Sequence, residues 1–357
     1  MSKENKAVAL DCGTMFFQIA EQDKSGGTVI KTTRNAFVEI KETEDIEDEL
    51  KRNQWQYVKD GKHYYVLGED SMRVANMFPG AELRRPLQGG VMNKQEDKKM
   101  LVLNELIKSS IGTAPTTTSL VCTCVSSESA DESADSKFHK ARLMGMIKNL
   151  GWNVKVIEEG FAVILSERPV MIEDDKEIPY SGIGISFGAG RVNCVAAWRG
   201  RQIDGLGMSI ARSGDWIDEK VAEATGRPIN QVTRIKEREL DFDNIDYDND
   251  VIFALDTYYG DMIRYVFEKF AMRFKKIKPE FESSVPIILA GGTSTPKGFC
   301  SKVQDVVGDL ELPFVIKEVK MASHPHDAVV SGCLTQALIS QKKIQKDRSE
   351  DLAGMDK

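Results

Sequence analysis

Apolar positions along this chain fall into short runs and alternations broken by glycine turns, with longer helical periodicities between them. Val8-Ala9-Leu10 is an apolar run that ends at Asp11-Cys12-Gly13-Thr14, and a second run follows from Phe16 to Ala20. This pattern predicts two strands around a tight turn. Thr28 to Ile40 alternates as strands do, while Lys41 to Asn53 is heavily charged and predicts an exposed loop or short helix. Trp55–Val58 and His63–Leu67 predict a hairpin about Asp60-Gly61, and Gly68-Glu69-Asp70-Ser71 leads a helix to about Met77.

Helical spacing returns from about Gln95 to Ser110, where Met100, Leu103, Leu106 and Ile107 share a face. Ser119–Val125 predicts a strand, Glu128–Ala134 is polar, and Phe138–Leu150 is amphipathic with Gly151 as a C-cap. Val154–Ile157 then forms a strand running into Glu158-Glu159-Gly160. The middle of the chain repeats the opening arrangement: Gly182-Ile183-Gly184-Ile185-Ser186-Phe187, a Gly188-Ala189-Gly190-Arg191 turn, and a strand from Val192 to Trp198. Arg201–Met208 reads as a further strand, and a helix opens at Arg212-Ser213-Gly214-Asp215 and runs to about Ala224.

Val232–Leu240 is the next helix, Asp241–Asp250 is an acidic loop, and Asp250 to about Ile277 is a long amphipathic helix or helix pair. Its Tyr258, Tyr259, Phe267 and Phe270 read as core. Pro286–Ala290 is a strand entering Gly291-Gly292-Thr293, with Thr295 as an N-cap and Pro296 at the first helical position. Phe314–Val319 is a late strand, Asp327 to about Ser340 a final helix, and the charged tail from Gln341 reads as disordered.

Composition narrows the class. The chain has 357 residues, 41% apolar and 29% charged, enough for two lobes with separate cores. A net charge of −7 argues against a general nucleic-acid binder. No run of 18 apolar residues exists, and Met1-Ser2-Lys3-Glu4-Asn5-Lys6 lacks the apolar stretch of a signal peptide and is too short and polar for a membrane anchor. Cys122 and Cys124 alternate on one strand face and read as core, His63 reads as a surface residue, and His324 and His326 lack a third ligand. The cytoplasm is the expected location.

The glycine turns carry the chemistry. Gly13 lets the backbone approach a bound group, Thr14 offers a hydroxyl and an N–H to phosphate oxygens, and Asp11 can grip a hydrated divalent cation. Exposed glycine N–H groups at the second turn, and a helix start after the third, attract anions.

These three loops, Asp11-Cys12-Gly13-Thr14, Ser186-Phe187-Gly188-Ala189-Gly190-Arg191 and Ala290-Gly291-Gly292-Thr293, resemble the two phosphate motifs and the adenosine motif of the actin-like ATPase superfamily. That superfamily includes actin, the bacterial MreB and MamK filaments and the DnaK-type chaperone ATPase domain; the MreB and MamK type is the most similar. The resemblance spans about residues 7 to 340. It implies a two-lobed α/β fold, ribonuclease H-like and duplicated, with four subdomains and a nucleotide cleft. Lobe I would comprise 1–160 and 322–340 with a capping subdomain at about 34–79. Lobe II would comprise 161–321 with a subdomain at about 213–284 inserted, and 341–357 would be the disordered tail. Ala81–Met92 is similar to the segment that returns the chain to the main lobe.

The resemblance also implies roles. Glu159 matches the glutamate that orients the attacking water, with Gly160 in place of the family's proline. Gly214 and Asp215 match a turn that approaches the nucleotide, and Lys236 and Glu237 match nucleoside contacts. ATP or ADP with Mg²⁺ is the implied ligand, with Asp11 holding the metal through water. One departure stands out: Ser186 occupies the place of an aspartate and Arg191 that of a threonine. A neutral serine weakens the field on the metal, so hydrolysis is expected to be slow, while Arg191 can place positive charge near the phosphates. The expected function is an ATP-binding cytoskeletal protein that assembles into filaments, with adaptor or cargo proteins as further partners and no direct membrane insertion. The alternatives are a non-hydrolysing nucleotide-binding scaffold, a chaperone-like adaptor, or a sugar-kinase relative of the same fold.

Overall fold

Strands buried on both faces need unbroken apolar runs, and three six-residue segments meet that need. Leu120–Val125, Gly182–Phe187 and Val285–Ala290 are buried at every position. Each lies inside a sheet, with a neighbour on both sides. The computed structural model describes all residues except 1–3, 78–79, 93–96, 132–135, 169, 174–175, 280–283 and 356–357. The first residues of the polar start, and 132–134 of the polar stretch before Phe138, therefore lie outside the described residues.

In chain order the elements begin with β1 (Ala7–Cys12), β2 (Phe16–Gln22), β3 (Thr28–Arg34), β4 (Phe37–Lys41), α1 (Ile46–Arg52), β5 (Tyr57–Asp60), β6 (His63–Leu67), α2 (Gly68–Met77), β7 (Leu83–Arg84), β8 (Leu87–Gln88) and β9 (Val91–Met92). They continue with α3 (Asp97–Ile111), β10 (Leu120–Val125), α4 (Ser136–Asn149), β11 (Asn153–Glu158), α5 (Glu159–Glu167), β12 (Val170–Glu173), β13 (Lys176–Pro179), β14 (Gly182–Phe187), β15 (Val192–Trp198), β16 (Arg201–Gln202) and β17 (Met208–Ile210). Then come α6 (Gly214–Thr225), α7 (Ile229–Arg238), α8 (Asp250–Ile277), β18 (Val285–Ala290), a 3-10 turn (Gly292–Ser294), α9 (Phe299–Gly308), β19 (Ile316–Met321) and α10 (Ala328–Met355).

The chain divides into two units. One comprises Met1–Thr123, Lys137–Val156 and Gln336–Lys357; the other comprises Cys124–Ser136 and Ile157–Thr335. The division places 124–136, 157–160 and 322–335 with the second unit, although all three were expected in lobe I.

The first unit's main sheet has the order β11-β10-β1-β2-β3. β1 runs parallel to β10 and antiparallel to β2. A smaller sheet, β5-β6-β4-β7, packs a separate core of Val38, Ile46, Leu50, Trp55, Tyr64, Val66 and Val74. The second unit's sheet repeats the order as β19-β18-β14-β15, with β16 and β17 on β15. There β14 runs parallel to β18 and antiparallel to β15.

α8 is one continuous helix, which resolves the helix-or-pair alternative. Asn249 caps it by accepting the N–H groups of Val251 and Ile252. Leu255, Tyr259, Met262, Ile263, Val266, Phe267, Phe270 and Phe274 recur at helical spacing and face the second unit's core.

Two expectations are corrected. α9 starts at Phe299 after Gly298 at φ +77°, not at Pro296 behind a Thr295 cap. The segment is held instead against the acidic loop: Phe242 donates its N–H to the Lys297 carbonyl, and Lys297 bridges Asp241. The tail is also helical to Met355 rather than disordered from 341. Its Gln, Lys, Asp, Glu and Ala residues carry no proline, and long side chains lose little freedom in a helix.

Candidate functional site

The first hairpin belongs to the first unit. Its ladder closes at Cys12 opposite Phe17, with Asp11 opposite Gln18. A Cβ on Gly13 would sit 2.7 Å from the Phe16 carbonyl oxygen, so no other residue fits this bend without a shift. Asn35 clamps the turn: its side-chain amide donates to the Gly13 carbonyl at 2.8 Å and its N–H to the Met15 carbonyl at 2.9 Å. The N–H groups of Thr14 and Met15 meet no acceptor among the described residues. Asp11 is half-buried at the strand end, and Gln18 donates to the Thr32 hydroxyl at 3.1 Å.

The second hairpin belongs to the second unit and copies that backbone. Its ladder closes at Phe187 opposite Val192, with Ser186 opposite Asn193. A Cβ on Gly188 would lie 2.8 Å from the Arg191 carbonyl oxygen. Here too, the tip N–H groups, those of Ala189 and Gly190, meet no acceptor among the described residues. The register therefore equates Ser186 with Asp11 and Asn193 with Gln18.

Phe187 anchors this hairpin. Its ring meets Phe299 edge-on at 5.0 Å, and Phe299 meets Tyr259 at 6.0 Å. Burying a phenylalanine stabilises by roughly 1.5–3 kcal/mol, against about 1 kcal/mol for a single hydrogen bond. The aromatic cluster therefore sets where the hairpin lies, and the polar bonds set its shape.

Those polar bonds join three sequence-predicted loops within the second unit. The Gly188 carbonyl accepts the Gly214 N–H at 3.2 Å and the Thr293 hydroxyl at 2.9 Å. The Ala189 carbonyl accepts the Asp215 N–H at 2.8 Å and the Ser213 hydroxyl at 2.6 Å. Tyr259, buried within the core, donates its hydroxyl to the Thr293 carbonyl at 3.0 Å. Burial holds that phenol protonated, well above its ordinary pKa, so it stays a donor. Gly291, at φ +98°, is a position for glycine alone, because a Cβ there would run into the Phe187 backbone. The N–H groups of Gly292 and Thr293 at the 3-10 turn meet no acceptor among the described residues.

Lys236 joins the same network. Its ammonium lies 2.7 Å from Asp218 and donates to the Gly214 carbonyl at 2.9 Å, while Thr233 donates to the other Asp218 oxygen at 2.8 Å. Both charged groups are almost wholly buried. Desolvation raises the Asp218 pKa even though Lys236 pulls it down. Glu237, beside Lys236, is exposed and outside this network.

Arg191 also turns inward. Its guanidinium donates to the Ser209 hydroxyl at 3.0 Å, bonds Ser129, and pairs with Asp131 at 3.6 Å with 4% of its side chain exposed. Asp131 in turn accepts the Ala211 N–H at 2.9 Å. The guanidinium thus pins the hairpin to the Ser129–Asp131 segment instead of offering a loose cation at the tip.

Glu159 opens α5. One carboxylate oxygen accepts the Ser126 hydroxyl at 3.2 Å and the other the Asn193 amide at 2.9 Å. Asn193 accepts the Ser127 N–H at 3.3 Å, which orients its amide, and Ser127 bonds Glu158. Gly160 lies so close to β14 and β15 that a Cβ would meet the Gly184 oxygen and the Val195 nitrogen, each at 2.8 Å. That close crossing is the physical reason for a glycine where the resemblance implies proline.

Asn193, Asp131, Asp218 and the role of Tyr259 were missed from sequence. Asn193 did leave a signal, as a lone amide in the apolar run Val192–Ala197. Among the described residues no group of His, Cys, Asp or Glu could hold a metal by itself, and His326 pairs with Asp327 at 3.1 Å. No described helix is long and apolar enough to cross a membrane.

The family profile described as Volactin matches residues 7–337. No curated protein matches the chain. Among solved structures, a MamK double helical filament aligns with a TM-score of 0.66 at 18% identity, covering 94% of this chain and 99% of that one. A non-polymerising MamK mutant bound to AMPPNP aligns with a TM-score of 0.56 at 17% identity and the same coverage. This likeness shows the fold: the protein has the actin-like fold of the MamK and MreB type.

Proposed function

The chain is a member of the Volactin family with an actin-like fold, and on that premise we propose that it binds ATP with Mg²⁺, hydrolyses it slowly and assembles into filaments in the cytoplasm. The observation that carries this reading is the repeated hairpin. Each copy has a glycine that no side chain can replace without a shift, and each tip presents unpaired N–H groups. Unpaired backbone donors beside glycine are suited to phosphate oxygens.

The residues fit the ligand. Gly13 and Thr14 serve the phosphates from the first hairpin, and Gly188, Ala189, Gly190 and Arg191 from the second. Gly291, Gly292 and Thr293, with Gly214, Lys236 and Glu237, serve the nucleoside side. In this reading Lys236 and Arg191 act mainly by holding the loops in shape, since their charges are already paired. Bound Mg²⁺ would neutralise charge on the β- and γ-phosphate oxygens, and Asp11 would hold it through water. Glu159 accepts a hydrogen bond from the attacking water and so aligns it.

Self-association into filaments draws support from the fold shared with the MamK double helical filament, and nucleotide binding from the AMPPNP-bound MamK mutant. Adaptor or cargo proteins would act on the assembled form. Sedimentation and electron microscopy with ATP and Mg²⁺, beside a nucleotide-binding titration, test the proposal. ATP-dependent pelleting and filaments support it; a monomer that takes up no nucleotide overturns it.

One observation favours a second reading, a nucleotide-binding scaffold that does not turn ATP over. Ser186 sits at the register position that Asp11 holds in the first hairpin, so the second hairpin lacks its own carboxylate. Phosphate release measured beside sedimentation separates the two: filaments without release favour the scaffold.

A further inference from the structure

The second hairpin lacks an acid at Ser186, yet a carboxylate reaches it from another element. Glu159, at the start of α5, is tied to Asn193, the residue directly opposite Ser186 in the ladder. From this geometry we propose that Asn193 is a positioning residue that holds the Glu159 carboxylate at the second hairpin in place of the missing acid. The inference rests on the reading above, in which Glu159 aligns the attacking water.

Three features carry it. First, both Glu159 oxygens are bound, one by Asn193 at 2.9 Å and one by the Ser126 hydroxyl at 3.2 Å, so the carboxylate has a defined orientation. Second, Asn193 is itself locked. It is fully buried, and its oxygen accepts the Ser127 N–H at 3.3 Å, which leaves its NH₂ group facing Glu159. Third, the equivalent amide in the first hairpin, that of Gln18, donates to the Thr32 hydroxyl on the neighbouring strand. In the second hairpin the amide opposite Ser186 reaches a carboxylate from α5. Gly160 allows it, because α5 can lie against β14 and β15 only when that residue lacks a Cβ.

A charge swap tests the assignment. In Asn193→Asp two carboxylates face each other. In the double variant Glu159→Gln with Asn193→Asp, the amide now at position 159 donates to the carboxylate now at position 193. That carboxylate still accepts the Ser127 N–H, and the amide oxygen at 159 still accepts the Ser126 hydroxyl. Every hydrogen bond is kept, but the acid has moved onto the strand. For the full-length chain, Asn193→Asp is expected to lower the melting temperature by about 2–4 °C and kcat by at least about tenfold, with the Kd for ATP within about twofold of wild type. The swap is expected to regain the melting temperature and not kcat.

A purely structural pair would regain both together, and that result overturns the proposal. So does an Asn193→Asp protein with wild-type kcat, or a wild-type protein that binds ATP without hydrolysing it. Should Asn193→Asp fail to fold, the swap alone decides, being folded and slow if the proposal holds. A wild-type chain that binds no nucleotide overturns ATP binding itself instead. The coupling between 159 and 193 is read from the same melting curves without ATP, so the two failures remain distinguishable.

Discussion

The first and second hairpins have one backbone and two chemistries. Each closes its ladder across a four-residue loop, each needs glycine at the same place, and each lies parallel to a fully buried strand. They differ at the cross-strand pair below the turn: Asp11 with Gln18 in one, Ser186 with Asn193 in the other. They differ also in their clamps. The first turn receives two hydrogen bonds from Asn35, whereas the second receives them from Gly214, Asp215, Ser213 and Thr293 in two other loops. A duplicated frame can thus keep one hairpin backbone while its two copies carry different side chains. One copy keeps an acid of its own; the other borrows one and is wired into the rest of its unit.

The strongest way to break this comparison is at the shared glycine. Gly13→Val and Gly188→Val should each push the chain off a carbonyl now 2.7–2.8 Å from the added Cβ. ATP affinity measured by titration should fall by about a hundredfold or more in both, about 2.7 kcal/mol. A large loss in only one would show that the two copies do not share the task.

The wiring of the second hairpin should show in stability. Arg191→Met removes the counter-charge from the nearly buried Asp131 and should cost about 3 kcal/mol in denaturant unfolding. Lys236→Met should cost about as much at pH 7, because it leaves Asp218 buried without its counter-charge. The sign of the pH dependence follows from Asp218. Its folded pKa already lies above the unfolded value, so its favourable contribution is present at low pH and lost as pH rises through the folded pKa. Removing Lys236 raises that pKa further. The variant should therefore recover part of its lost stability on acidification from pH 7 toward pH 5, by about 1 kcal/mol relative to wild type.

Ser186→Asp makes the second hairpin chemically like the first. ATP turnover should rise by about fivefold through the added field on the metal, equal to about 1 kcal/mol in the barrier. Phosphate release as slow as wild type would remove Ser186 as the reason for slow hydrolysis. The smallest effect is expected at Gln18→Met, which removes the bond to Thr32 and should lower stability by about 1 kcal/mol. Its turnover should move less than that of the equivalent Asn193 change.

Much of this frame is legible in the chain. Val8–Leu10, Gly182–Phe187 and Pro286–Ala290 announce buried strands by their apolar runs, and the glycines after them announce turns. The long helix from Asp250 to Ile277 is legible from its periodicity, whereas its continuity and its Asn249 cap appear only in the structure. The start of α9 was not, because Thr295-Pro296 is a good local helix start, whereas contacts from the distant acidic loop hold Lys297 and the helix begins at Phe299 after a left-handed Gly298.

Local order along the chain was enough to establish the hairpins, their glycines and the resemblance to the actin-like fold, because turns and strand periods depend on neighbours in sequence. Which charges are paired was decided by packing alone. Arg191 meets Asp131, Lys236 meets Asp218 and Asn193 meets Glu159 across separations no local pattern encodes. Burial then makes each meeting obligatory, since a charge or amide removed from water needs a partner close by.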